Sequence, residues 1–268
     1  MSARTSDGPT RAAVRDRLDR VTDPELDRSI VALEYIDAIE IDGGHVTVHL
    51  TLPTAWCSPA FAWMMAVDAR DEVESLPTVE TARIALHDHM HETEINRGVN
   101  ERLTFAAAFP DADGDVDAVR SELDDTARVA RQYDAVETLL DAGLDADAIV
   151  DFRLRDLEED ELVPDRQFES DGDASETVAV SVRDRAFAVV VPAAPLARYL
   201  EKARETELVA NPADVLFRTP EGDPIDAETF DLVHRRGRLA TVSMSSQGGI
   251  CDGLREAREG RLEGTAND

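Results

Sequence analysis

Two cysteines and six histidines are the scarce residues of this 268-residue chain whose types and spacing can do chemistry. Cys57 stands in LTLPTAWCSPAF (50–61), where an apolar strand-like run passes through a Pro-Thr turn into an apolar helix-like run. A cysteine just ahead of a helix start meets unpaired backbone N–H groups and the positive end of the helix dipole. Both favour thiolate and so raise reactivity or metal affinity; the plain alternative is a small buried apolar residue. His87, His89 and His91 alternate in LHDHMHETEIN (86–96). On a continued strand their rings project from one face, with about 6.5–7 Å between successive Cα atoms. Three imidazoles there suit Zn or Fe(II), with Glu92 and Glu94 as oxygen donors. Alternatively the strand ends near His87 and a solvated turn leads into a helix over 92–103. Cys251 lies in SMSSQGGICDGLREA (243–257), which repeats the first pattern of strand, small-residue loop, cysteine and helix. Two such thiols can converge on one metal or one cluster. Ordinary cluster ligation takes four cysteines, so a bridged dimer or histidines would supply the rest. The alternative is a Gly-rich turn with a core cysteine.

The elements that must position these residues are legible from period and punctuation. TRAAVRDRLDRV (10–21) has helical spacing, broken at Asp23-Pro24. A strand is expected near 33–41, a turn at Asp42-Gly43-Gly44, and a cleanly alternating strand over 45–52. Pro59 opens a helix as proline at a first helical position does, and Pro77 ends it. Residues 78–89 alternate again. Residues 117–142 read as one long helix closed by Gly143, and the charged stretch 155–176 as a linker. Beyond it come a strand, tight turn and strand (177–192), a helix from 194, a short strand DVLFRT, a turn at EGDP and a helix DAETFDLVHRR. A last strand, RLATVSMSS, then leads to Gly248-Gly249 and a closing helix from about 250. The fold class is α/β (α+β): a small helix-strand-strand-helix-strand domain, then a long helix and a second α/β module.

Composition bounds the function. Lys plus Arg number 28 against 57 Asp plus Glu, a formal charge of −29, and Lys202 is the only lysine. The acids are spread along the chain among periodic apolar segments, which a disordered acidic chain lacks. This is the composition of a halophilic globular protein, whose carboxylates hold water while counterions screen their repulsion. It argues against nucleic acid and anionic membranes as partners, since phosphate binding needs clustered Lys and Arg. No apolar run approaches the ~20 residues that span a bilayer, and MSARTSDGPT at the N-terminus has no apolar signal core. A cytoplasmic protein with two thiols is expected. Nucleotide-binding glycine motifs, GxSxG and calcium-loop spacing are absent.

Residues 21–86 resemble the PaaD/SufT-type iron–sulfur cluster assembly family. Asp23-Pro24-Glu25, Thr51, Thr54, Cys57, and Leu76-Pro77 with Val79 occupy the matching positions, and the likeness covers roughly residues 10–90. The loop here reads Trp56-Cys57-Ser58-Pro59 where the family usually has Gly-Cys-Pro, and Ala32-Leu33-Glu34-Tyr35 stands where it commonly has Asp-Leu-Gly. The resemblance implies an assembly-like domain over 10–100; the rest of the chain, which has no counterpart in short family members, reads as a helical connector (101–165) and a C-terminal α/β module of unknown role (177–262). The resemblance implies a maturation factor rather than an enzyme, delivering iron or an iron–sulfur cluster to a client metalloprotein, or working with the assembly machinery. Cys57 would be the functional thiol, with Asp23, Glu25 and Thr54 shaping its loop. A weaker likeness to longer relatives that accompany bacterial multicomponent monooxygenases suggests an oxygenase accessory role. The rival reading is a metal-dependent enzyme or oxygenase component holding mononuclear iron, or zinc, through His87, His89 and a carboxylate. The candidate metal ligands are therefore Cys57, His87, His89, His91 and Cys251, and assembly as a homodimer stays open.

The charge makes a direct prediction. The melting temperature should rise between low salt and molar KCl as carboxylate repulsion is screened; a melting temperature indifferent to salt in scanning calorimetry would remove the halophile reading.

Overall fold

A computed structural model describes residues 8–112, 115–157, 177–182 and 187–265. Most of the expected linker (158–176) and the turn expected at 183–186 lie outside the described residues. The chain forms two compact units: residues Met1–Arg120 with Met244–Asp268, and residues Ser121–Ser243. The first unit is thus discontinuous in sequence.

In the first unit, helix α1 (Arg11–Leu18) starts at Thr10, whose hydroxyl accepts the Ala13 N–H, and it buries Val14 and Leu18. Two short strands, β1 (Thr22–Asp23) and β2 (Arg28–Ser29), form a hairpin around Pro24–Asp27. Strands β3 (Ile36–Asp42) and β4 (His45–Thr51) pair antiparallel across Gly43-Gly44, with Gly43 at φ +60°. Glu34, where the resembled family commonly has Gly, sits at φ +58°, a left-handed conformation that disfavours a side chain. Helix α2 (Pro59–Glu74) carries Pro59 in its first turn. Strand β5 (Thr81–His87) then runs parallel to β4, in register from His45↔Thr81 to Thr51↔His87. The sheet order is β3-β4-β5. One sheet face buries Val46, Val48, Leu50, Ala82, Ile84 and Leu86 in the same core as Ala62, Met65, Ala66, Ala69 and Val73 of α2.

Helix α3 (Glu92–Asn100) runs along the outer edge of β5 and finishes it. Asn96 accepts from the Leu86 N–H (2.8 Å) and donates to the Leu86 carbonyl (2.9 Å); Asn100 does the same with Ile84 (2.9 and 2.8 Å). Two amides one helical turn apart thus stand in for a missing strand, satisfying backbone groups that an edge otherwise leaves open. Gly98, between them, is where Trp63 of α2 packs. Trp63 also meets Phe105 of α4 (Phe105–Ala108) and Phe109 edge-on, with ring centroids 5.6 and 6.2 Å apart.

The second unit contains most of α5 (Val116–Asp141), α6 (Ala146–Val150), the antiparallel hairpin β6 (Thr177–Val182) and β7 (Phe187–Pro192), α7 (Ala193–Glu205) and the start of α8 (Phe230–Thr265). Gly143 follows α5 at φ +90°. Its core joins Val178, Val180, Val191, Leu196, Tyr199, Phe217 and Leu139. The short strand expected at DVLFRT is not one: its backbone bonds individually, Leu216 N–H to the Phe152 carbonyl and Arg218 N–H to the Gln132 side chain. The strand expected at RLATVSMSS is overturned as well. α8 runs unbroken through it and through Gly248-Gly249. The apolar residues of that segment give a strand nothing to bury, since Leu239 and Val242 are exposed, whereas Gly237 sits 2.9 Å, at its Cβ position, from Tyr133 Cβ of α5. Close helix packing overrides the local β preference and the ~1 kcal/mol that an interior glycine costs a helix. No described helix is long and apolar enough to cross a membrane.

A Cβ on Gly98 would lie 2.5 and 2.7 Å from Trp63 ring atoms and 2.9 Å from Ala108 Cβ. Helix propensity favours alanine by about 1 kcal/mol, but overpacking costs about 1–3 kcal/mol. Gly98→Ala should therefore lower the denaturant midpoint; an unchanged or raised midpoint would mean that Trp63 moves aside freely.

Candidate functional site

The loop between β4 and α2, residues 52–58, carries the thiol. Thr54 makes its turn: its hydroxyl accepts the Trp56 N–H (3.2 Å) and its carbonyl accepts the Cys57 N–H (3.4 Å). Leu52 is buried, and Trp56 is 75% exposed. The segment after β5 holds this loop from the other side. Met90 N–H donates to the Ala55 carbonyl (3.0 Å), and His89 Nε2 donates to the Cys57 carbonyl (3.0 Å). His89 Nδ1 accepts the His91 N–H (3.1 Å), which fixes the tautomer with the proton on Nε2. Burial pulls the pKa of His89 down, against the opposing pull of the Cys57 carbonyl, so the ring is neutral at pH 7.

The Asp23-Pro24-Glu25 turn stands beside the thiol. Asp23 is buried; its Oδ1 accepts the Glu25 and Leu26 N–H groups (2.9 and 3.1 Å), and its Oδ2 accepts from the Tyr35 hydroxyl (3.2 Å). Burial raises the pKa of Asp23 despite these donors, and burial followed by the Asp23 charge raises that of Glu25. The Cys57 thiol is pushed up to about 12, first by burial, then by Asp23, Glu25 and Cys251; the Ser58 N–H at the helix start pulls the other way. The expectation that the helix start favours thiolate is thus corrected. Desolvation and neighbouring carboxylates outweigh one backbone dipole, and Cys57 rests as a half-buried thiol.

Cys251 arrives by a different route from the one its sequence suggests. It is not at a helix N-terminus after a Gly-rich loop but inside α8, whose C-terminal part belongs to the first unit. One turn before it, the Cβ position of Gly248 lies 4.0 Å from Leu26 Cδ2 in the Asp23 turn. Both cysteines pack partly buried against the same core cluster, and no disulfide joins them.

The three alternating histidines do not share a face. β5 ends at His87, and Asp88 at φ +54° breaks the alternation. His87 meets His49 on the sheet's outer face, Nε2 to Nδ1 at 2.9 Å, with Glu40 3.7 Å from His49 Nε2. His89 turns inward under Cys57 with both ring nitrogens engaged, and His91 packs edge-on to Phe109 with centroids 5.5 Å apart. Among the described residues no group of three or more His, Cys, Asp or Glu is placed to hold a metal ion. His49 was missed by sequence reasoning. The parallel β4–β5 register sets it next to His87, and no local pattern announces a partner 38 residues away.

A small sheet flanked by helices, with a single loop thiol against an Asp-Pro-Glu turn, defines a thiol-bearing α/β domain. Residues 11–84 match the iron-sulfur cluster assembly protein family. An uncharacterized protein of Methanocaldococcus jannaschii is 31% identical over 94 residues, which are 35% of this chain and 97% of that protein. No solved structure matches. Through its N-terminal third, the chain belongs to the iron–sulfur cluster assembly protein family.

With its pKa near 12, Cys57 should react with iodoacetamide at pH 8 on the order of 10³-fold more slowly than an exposed cysteine. Measured by mass spectrometry on Cys251→Ser protein, the rate should keep rising past pH 10 and should increase on Glu25→Gln. A plateau near pH 8 would contradict this electrostatic account.

Proposed function

We propose that the first unit takes up iron or an iron–sulfur cluster on Cys57 and hands it to a client metalloprotein. The observation that carries this reading is the position of Cys57: a half-buried thiol, within the family-matched segment, at a strand-to-helix loop lined by Asp23 and Glu25. The cargo is cationic iron in the broad sense, and it is the substrate of transfer rather than a resident cofactor. At rest the proton on Sγ keeps the thiol unreactive. Iron approaching the carboxylates offsets the negative charge that holds that proton, so sulfur ligation and proton release occur together. A ligand that is easily reprotonated is also easily released, which suits transfer better than storage.

Docking of a client would use the exposed apolar side chains beside the thiol. Trp56 and Met90 belong to the two segments joined by the Met90–Ala55 bond, and large exposed apolar groups at a loop are characteristic of interaction surfaces. An oxygenase component is one class of client that this reading accommodates.

Anaerobic incubation with ferric iron and sulfide in molar salt should give sulfur-to-iron charge-transfer absorption, and the loaded protein should convert an apo-ferredoxin to its holo spectrum. Cys57→Ser should abolish both. Equal loading and equal transfer by Cys57→Ser would defeat the proposal.

A further inference from the structure

We propose that Cys57 and Cys251 together form one two-thiol half-site, and that a second copy of this chain supplies the other two thiolates, so that a cluster is held across two chains. This rests on the reading of Cys57 as the cargo thiol, and it adds a ligand from outside the family-matched segment.

The placement comes from packing. The stretch Met244–Asp268 belongs to the same compact unit as residues 1–120. Gly248, on the same helical face as Cys251 and one turn before it, contacts Leu26, two residues on from Pro24 in the turn whose Asp23 and Glu25 act on Cys57. Both sulfurs lie against one core cluster, and both remain half-exposed. Cys251 is also close enough for its charge to act on Cys57 and on Tyr35, whose hydroxyl bonds Asp23. Two elements distant in sequence thus deliver two thiols to one acidic spot.

The second copy follows from ligand counting and from the surface around the pair. An iron–sulfur cluster is ordinarily held by four thiolates. Among the described residues no group of three or more His, Cys, Asp or Glu is placed to hold a metal ion within one chain, and His89, the imidazole bonded to the Cys57 carbonyl, has both nitrogens engaged. Two thiols on each of two chains, related by a two-fold axis, make the set of four. The residues flanking the thiols are apolar and exposed: Trp56 beside Cys57, and Ile250 (64%) and Leu254 (43%) beside Cys251. They offer a second copy a dry contact around the cluster, while the chain's charge of −29 disfavours pairing unless cargo and salt offset it. Ligation is exchange: each thiol releases one proton to solvent as its sulfur bonds iron, and no electron moves.

The test is anaerobic reconstitution of the full chain with ferric iron and sulfide in molar KCl, followed by charge-transfer absorption and sedimentation velocity. Wild-type protein should load a cluster that sediments with a dimer and dissociates to monomer when the iron is chelated. Cys251→Ser should lose both the retained cluster and the dimer. Cys251→Ala, which keeps the apolar packing of that position, should do the same with an unchanged far-ultraviolet circular dichroism spectrum, so that misfolding is separated from ligand loss. Wild-type-like loading by both Cys251 variants, or a cluster sedimenting with monomer, overturns the proposal and leaves Cys57 as the cargo thiol. Wild-type-like loading by Cys57→Ser overturns the underlying reading itself.

Discussion

The thiol loop, residues 52–58, has neither strand partner nor helix of its own, and the buried imidazole of His89 holds it in place. Its Nε2–H satisfies the Cys57 carbonyl, and its Nδ1 ties the ring to the start of α3 through His91. A half-buried carbonyl without a donor would cost about 1–3 kcal/mol, so the loop conformation that presents sulfur depends on this ring staying in place, and the His91 N–H bond that places it depends on Nδ1 staying unprotonated. Burial keeps it so. The left-handed Asp88 is the local condition: it turns the chain off the sheet and swings His89 beneath the loop instead of leaving it on the face shared by His87 and His49.

Charge does two opposed jobs in this molecule. Across the chain, carboxylates give a net charge of −29, a repulsion that salt screens. At the site, two of them, Asp23 and Glu25, act at short range in a poorly solvated spot where salt screens little. There they add to burial, the larger cause, in raising the Cys57 thiol pKa. A thiol so held is sheltered from adventitious oxidation.

The sheet edge shows the same economy of local means. β5 lies at the edge of a three-stranded sheet, and the amides of Asn96 and Asn100 close it. That places α3 against β5, and His91 caps the start of α3, two residues from the His89 clamp. The edge device and the thiol loop are therefore joined through the short segment from His89 to Asn96.

Much of this was written locally. The β3–β4 hairpin at Gly43-Gly44, the start of α2 at Pro59, the Gly143 stop of α5 and the strand-to-helix position of Cys57 follow from turn chemistry and period alone, and Asp23-Pro24-Glu25, Thr54 and Cys57 were legible as a family pattern. What sequence could not convey depends on partners far along the chain. Leu239 and Val242 read as strand, and Gly248-Gly249 as loop, but they form one continuous helix; Gly237 packs closely on Tyr133 of α5 near its start, and its far end carries Cys251 to the core that Cys57 also joins. The histidines alternate as letters but separate in space, because one residue with positive φ redirects the chain. The proton on Cys57 is likewise a tertiary property, since desolvation and through-space charge depend on which groups the fold crowds together, whereas a helix start is a property of a few consecutive residues.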